Sequence, residues 1–191
     1  RVSAIPGVQH AGITNGFLDS IWRVDVEEHP PVPAAQRQTA SRHQVSPDYF
    51  RAMGISLRAG RFFTDRDLEG ALPVVIIDDA LARRHFGNEN PIGKHLRFES
   101  TSREIIGVVS ATRAWKRFTA GDVDAPRVYL PYQQETPSST MALIACAQSG
   151  NPVSLIPAIR SELAAIDKDQ PIHSFKPLEE SVDELSADRR F

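Results

Sequence analysis

The stretch "VSPDYFRAMGISLRAGRFF", residues 45–63, carries a helix start, a helix stop, a short strand and a turn in close succession. Ser46 is placed to cap a helix, because its hydroxyl can accept a free backbone N–H of the first turn. Pro47 follows at the first helical position, where its missing donor costs nothing. Asp48 sets a negative charge at the positive end of the helix dipole. Tyr49, Phe50 and Met53 fall on one helical face, and Gly54 can take the left-handed conformation that ends a helix. The spacing predicts a two-turn helix with an aromatic anchor. "ISL" then reads as a short β-type run and "RAGR" as a turn. Thr64 can cap a further short helix with Asp65 and Asp67 in its first turn.

The 191-residue chain around this stretch is long enough for one domain or two small ones with a real core. Hydrophobic residues make up 41% and charged residues 24%, as in ordinary globular domains. A formal net charge of −2, with basic and acidic residues interspersed, provides no stripe for nucleic acid. The single cysteine, Cys146, excludes an internal disulfide, and its apolar strand context reads as inert core. No apolar run approaches the ~20 residues that span a bilayer, and no signal peptide is visible. The chain opens at Arg1 rather than Met and closes on "ADRRF", which reads as a fragment of a larger protein.

Outward from the opening stretch, Pro6-Gly7 punctuates the approach to a strand from Val8 to Thr14. Residues 17–39, with "HPPVP", read as a loop or edge excursion, and Thr39 to Val45 as a strand. In "LPVVIIDDALARRHFG", Val74 to Ile77 form a buried strand. Asp78 or Asp79 caps a helix carrying Ala80, Leu81, Arg84 and Phe86, and Gly87 stops it. "NPIGKHLRFE" is a turn and a strand, and "REIIGVVSATR" is a long β-branched strand in which Gly107 marks a bulge. Residues 114–126 read as loop, "RVYLPY" as a short strand broken by Pro131, and Thr140 to Gln148 as an apolar strand. Asn151 and Pro152 open a helix whose apolar stripe is Val153, Ile156, Ile159, Leu163 and Ile166. Pro157 must lie in its first turn or kink it. "IHSFKPL" reads as a strand and residues 178–190 as a helix. The order points to an α+β layer in which a helix covers one sheet face.

Reactive chemistry is hard to find. "GNENPIGKH", residues 87–95, departs from a phosphate loop in both its spacing and its missing Ser or Thr after Lys94. It reads instead as a turn joining a helix to a strand. His10, His29, His43, His85, His95 and His173 are scattered, without a helical pair spaced to hold zinc. No Gly-x-Ser-x-Gly elbow is present. "DVDAP" and "DKDQP" do not continue into a calcium loop, and turn and cap chemistry accounts for their aspartates. No catalytic residue, cofactor or metal ligand is assigned.

Several stretches in order resemble one family. They are "VSPDYFRAMGISLRAGRFFTDRD" (45–67), "PVVIIDDALARRHFGNENPIGKHLRF" (73–98), "REIIGVVSATR" (103–113), "RVYLPYQQ" (127–134), and "PAIRSELAAIDKDQPI" (157–172) with the closing "RRF". Together they resemble the MacB-like periplasmic core domain of FtsX/MacB-type ABC transporter permeases, especially those of the acidobacterial type. The residues that carry the motif are Ser46, Pro47, Asp48, Tyr49, Phe50, Gly54, Gly60, Arg61, Pro91 and Gly93, which the resemblance makes structural.

The resemblance implies an α+β fold of two lobes. A porter-like lobe would be formed by both chain ends (1–44 and 136–191), and an inserted mixed α/β lobe would hold 45–135. It implies a periplasmic, non-enzymatic domain between two transmembrane helices, with Arg1 and Phe191 close together on one pole. Its partners would be the rest of the permease, a cytoplasmic ATP-binding subunit acting through the membrane part, and periplasmic proteins. ATP-driven conformational change would pass through it during efflux. The isolated domain would be a monomer and the full-length protein a dimer. The alternative is a stand-alone ligand-binding module or an enzyme with a site assembled from distant residues. A deep pocket with convergent titratable groups would mark it.

Overall fold

A computed structural model describes residues 1–15, 20–27, 33, 38–98, 101–110, 126–135, 140–172, 174–178 and 180. Among them are nine strands: β1 (Val8–Thr14), β2 (Ser20–Val26), β3 (Gln38–Val45), β4 (Leu57–Gly60), β5 (Val74–Asp78), β6 (His95–Phe98), β7 (Thr101–Val109), β8 (Arg127–Pro131) and β9 (Ala142–Ala147). The helices are α1 (Tyr49–Ala52), α2 (Asp79–Phe86) and α3 (Ile156–Ile166), with short 3₁₀ turns at Val2–Ala4, Tyr132–Gln134 and Pro152–Leu155.

The sheet runs β2-β6-β7-β5-β8-β3-β1-β9, and β2 also pairs with β3. That second pairing closes six strands, β2-β6-β7-β5-β8-β3, into a ring. The β3–β8 and β5–β7 pairs are parallel and the other four in the ring are antiparallel. Closure leaves those strands no free edge within the ring. Alternation along each strand then sorts the side chains. Val24 and Val26, Ala40, Val75 and Ile77, Leu96 and Phe98, Ile105, Val128 and Leu130 form one core, which is the barrel interior. Leu81 and Phe86 of α2 belong to the same core, so α2 packs into it.

The outer face of β3, β5, β7 and β8 builds a second core from Val45, Val74, Ile76, Ile106, Val109 and Tyr129, covered by Tyr49, Phe50 and Met53 of the α1 segment. β1 and β9 form an antiparallel ribbon joined to the ring through Thr14 opposite Val45. Its other face carries a third, smaller core, in which Val2, Ile5, Leu155 and Ile159 pack against Val8, Ala11 and Leu143. The ribbon therefore lies between α1 on one side and α3 on the other.

The strands expected at 8–14, 39–45 and 74–77 are present, as is the helix after Asp78. Asp78 is the cap, accepting the Leu81 N–H at 2.8 Å, and Gly87 follows the helix with φ +58°. Pro157 lies in the first turn of α3. The bulge in β7 is real: Val75 faces Ile105 but Ile76 faces Gly107, leaving Ile106 as the extra residue.

Several expectations are corrected. Within the 17–39 stretch expected as a loop or edge excursion, residues 20–26 are strand β2, paired on both sides, with Trp22, Val24 and Val26 turned into the core. The helix of the opening stretch is one turn, not two. "RAG" belongs to β4 rather than to a turn. Thr64 opens a turn and not a helix; the Asp67 N–H donates to the Thr64 carbonyl at 3.0 Å. No strand forms at 171–172 or 174–177, whose residues pack only Phe175 against the third core. Cys146 is half-buried on β9, its thiol 3.8 Å from Gln9 Oε1, and is not core. Leu178 and Glu180 are helical, while the rest of 178–190, most of the 114–126 loop, Phe191, His29 and His173 lie outside the described residues.

Candidate functional site

The motif residues gather at two places. The first is the contact between α1 and β1. Ser46 does not cap α1: Asp48 occupies the N-cap position, without a side-chain cap bond, and Pro47 sits before it. The Ser46 hydroxyl instead accepts the N–H of Ile13 on β1 at 2.9 Å, and the Ser46 N–H donates to the Ile13 carbonyl at 2.9 Å. Asp48 pairs with Arg51 at 3.0 Å on the exposed side. Gly54, at φ +65°, closes the helix. Its N–H donates to the Arg51 carbonyl at 3.1 Å and the Ile55 N–H to the Phe50 carbonyl at 2.7 Å, a Schellman closure.

Tyr49 and Phe50 are fully buried. Phe50 is the centre of an aromatic cluster, with ring centroids 5.1 Å from Phe62, 5.1 Å from Tyr129, 5.6 Å from Tyr49 and 6.0 Å from Phe63. The anchor thus fastens α1 to the outer wall of the barrel.

The second place is the β7 bulge. Gly60, at φ +73°, lies opposite Gly107, and a Cβ on it would overlap the Ile106 carbonyl oxygen. The next N–H, of Arg61, donates to that same carbonyl at 2.9 Å. On the other flank the Gly93 N–H donates to the Ile105 carbonyl and the Ile105 N–H to the Lys94 carbonyl, at 2.9 and 2.8 Å. Pro91 is buried in the turn that Lys94 closes. Gly60 and Arg61 lie on one flank of the bulge and Pro91 and Gly93 on the other, and the Arg61 and Gly93 N–H groups satisfy the Ile106 and Ile105 carbonyls.

Arg61 also forks onto Asp67, at 2.8 and 2.9 Å. Burial pushes the Asp67 carboxyl up, but Arg61 and the N–H and hydroxyl of Thr64 bring it below its ordinary range.

Further polar groups complete the picture; of these the sequence singles out only Asp78, as a cap, and His43, among the scattered histidines. Glu135, just past β8, binds Arg42 of β3 and Arg103 of β7, one through each carboxylate oxygen. All three side chains are largely buried, and Arg42 stacks 4.2 Å over Trp22. Gln134 accepts the Val74 N–H and donates to the Leu68 and Leu72 carbonyls, tying the 68–72 loop to the barrel wall. On the outer wall Asp78 lies 3.7 Å from Arg127, and His43 packs against Tyr129. Burial raises Asp78 to about 6, and burial with the charge of Arg127 lowers His43 to about 3. The one sequence signal for the α1 contact was Gly12, a glycine inside a strand.

Lys94, the lysine of the phosphate-loop-like stretch, pairs with Glu89 and lies 5.3 Å over the Phe86 ring, at a turn between α2 and β6. His10, His43, His85 and His95 fall on four separate elements. Among the described residues no group of three or more His, Cys, Asp or Glu is set to hold a metal, and no helix is long and apolar enough to cross a membrane. The bonds from motif residues to neighbouring strands involve backbone groups: Ser46, just after β3, bonds to Ile13 of β1, and Arg61 and Gly93 bond to Ile106 and Ile105 of β7.

Comparison with known proteins gives the family. The model of the MacB-like periplasmic core domain matches residues 5–162. The macrolide export ATP-binding/permease protein MacB of Aggregatibacter actinomycetemcomitans is 35% identical over 72 residues, 38% of this chain and 11% of that protein. The pyoverdine export ATP-binding/permease protein PvdT of Pseudomonas aeruginosa is 33% identical over 86 residues, 44% of this chain and 12% of that protein. The matched segment is thus a small fraction of either relative.

Among solved structures, the periplasmic region of MacB from Actinobacillus actinomycetemcomitans superposes with a TM-score of 0.61 at 21% identity, covering 86% of this chain and 70% of that one. The extracellular domain of the ABC-type transporter YknZ from Gram-positive bacteria gives 0.56 at 18% identity, covering 88% and 79%. These likenesses establish the mixed α+β fold. With the family model covering most of the residues, the chain belongs to the family of MacB-like periplasmic core domains.

Proposed function

We propose that this domain is the extracytoplasmic part of an ABC transporter permease and that it relays conformational change, driven by ATP in the cytoplasm, without catalysing a reaction itself. The observation that carries the reading is the family match over residues 5–162. The packing supports it: the motif residues make backbone-level joints between elements. The relatives named above are, by their names, exporters of macrolides and of pyoverdine, and efflux is the direction proposed for the parent of this domain.

The two-lobe organisation belongs to the same proposal. The third core, built by β1, β9, α3 and the residues before β1, is the centre of the chain-end lobe, and the barrel is the centre of the inserted one. β2 (Ser20–Val26) and β3 (Gln38–Val45) belong to the chain-end segment by sequence, apart from Val45, yet are two of the six strands of the ring, and so link the two. The chain ends would connect to the membrane-embedded rest of the permease, which holds the dimer, so the isolated domain is a monomer. A cytoplasmic ATP-binding subunit and periplasmic proteins are the remaining partners.

The test uses the full-length parent protein in cells, with Cys146→Ala and one new cysteine at the exposed Arg58. A maleimide reagent that cannot cross the inner membrane should label that thiol once it has access to the periplasm. Labelling only after the inner membrane is broken would overturn the reading.

A further inference from the structure

We infer that the Ser46 turn and α1 lock the β1–β9 ribbon to the barrel wall, so that the ribbon, with the small core it carries, and the barrel move as one rigid body with no hinge between them. The junction is short but doubly braced. Residues 13–15 and 44–46 exchange four hydrogen bonds. The Ile13 N–H donates to Ser46 Oγ and the Ser46 N–H to the Ile13 carbonyl, both at 2.9 Å. The Asn15 N–H donates to the Gln44 carbonyl at 3.1 Å and the Gln44 N–H to Asn15 Oδ1 at 3.0 Å.

The second brace is α1 itself, which meets the ribbon through Gly12 and the barrel through its rings. A Cβ on Gly12 would lie 2.5 Å from Tyr49 Cα. Contact of backbone on backbone leaves no side-chain rotamer to absorb a shift. Tyr49 and Phe50 share one core with Val45 and Tyr129 of the barrel and with Ile144 of the ribbon strand β9. A hinge works through a few residues whose backbone angles can change widely. Here the link from β3 into α1 is Ser46-Pro47-Asp48; proline fixes its own φ and restricts the residue before it. The Schellman closure at Gly54 and Ile55 fixes the far end of the helix.

The use of this rigidity rests on the proposed function: a movement applied at the chain ends would reach the barrel undiminished. The rigidity itself does not depend on that reading, and its test is made on the purified 191-residue chain. With Cys146→Ala, spin labels are placed at the exposed Ser161 of α3 and Arg84 of α2, and the distance between them is read by pulsed electron resonance. One narrow distribution is expected. Ser46→Ala should broaden it and Gly12→Ala should shift its mean. A broad or two-peaked distribution in the unsubstituted junction overturns the inference, whatever becomes of the variants. So does an unchanged distribution in both variants when both fold. Failure of the periplasmic labelling with a narrow distance here would remove the transport reading and leave the rigid junction standing.

Discussion

Gly12 of β1 and Tyr49 of α1 meet backbone to backbone: a Cβ on Gly12 would stand 2.5 Å from Tyr49 Cα and 2.8 Å from its amide nitrogen. Neither atom is the end of a flexible side chain, so neither can step aside. Gly12→Ala should therefore force α1 away from the ribbon and cost about 1–3 kcal/mol, the usual range for overpacking. Urea unfolding should show a lower midpoint with an unchanged slope. An unchanged midpoint would mean that α1 is free to ride outward and does not brace the ribbon.

Phe50→Ala removes the centre of the aromatic cluster formed with Tyr49, Phe62, Phe63 and Tyr129. Truncating a buried phenylalanine costs about 3–5 kcal/mol, of which part is the cavity left behind. The domain should unfold at clearly lower denaturant, and Phe50→Leu should recover part of the loss. Equal stability of Phe50→Ala and the parent would remove the anchor role assigned to this ring.

How far the sequence shows this arrangement depends on how local the cause is. β5 and α2 are legible because every signal lies within a few residues: the Val74–Ile77 run, the Asp78 cap and Gly87. Ser46 is misread for the opposite reason. The capping rule knows only the residues that follow it, whereas its hydroxyl is taken by Ile13, 33 positions earlier. β2 is hidden by the prolines that follow it, and its strand character comes from pairing with β3 and β6. The resemblance picks out Gly60, Arg61, Pro91 and Gly93 but not their shared location, because the β7 bulge they flank exists only once the strands are aligned. Arg42, Arg103 and Glu135 carry no spacing signal; three charged residues on separate elements look like surface until the barrel brings them together.

Glu135→Ala leaves the Arg42 and Arg103 guanidinium groups largely buried beside each other without the carboxylate they share. Breaking a buried pair by removing one partner costs about 3–5 kcal/mol, because a charge stays behind uncompensated. Arg83→Ala, which removes an exposed pair with Asp79 on α2, should cost less than about 1 kcal/mol. Thermal or urea unfolding of the two variants side by side makes the comparison. Similar small losses in both would place the Glu135 trio with ordinary surface pairs.

His43 and Asp78 should hide each other's pH dependence. His43 is lowered to about 3 in the fold, by burial and then by Arg127. Below its ordinary value of 6.5 the unfolded chain takes up a proton there that the folded chain refuses, so stability falls as the pH falls toward 3. Asp78 is raised from 3.8 to about 6, mainly by burial. Between those values the folded chain holds a proton that the unfolded chain has released, so stability rises as the pH falls from 6 toward 4. In that shared window the two slopes are opposite and each is on the order of 1 kcal/mol per pH unit. Each single variant should therefore expose the other group. His43→Gln should gain stability relative to the parent as the pH is lowered from 6 to 4. Asp78→Asn, which keeps a good N-cap residue for α2, should lose stability relative to the parent over the same range. Urea midpoints of the three proteins at half-unit pH intervals provide the comparison. Parallel curves would show that neither group titrates differently in the fold, and two variants shifting in the same direction would refute the opposed signs assigned to this pair.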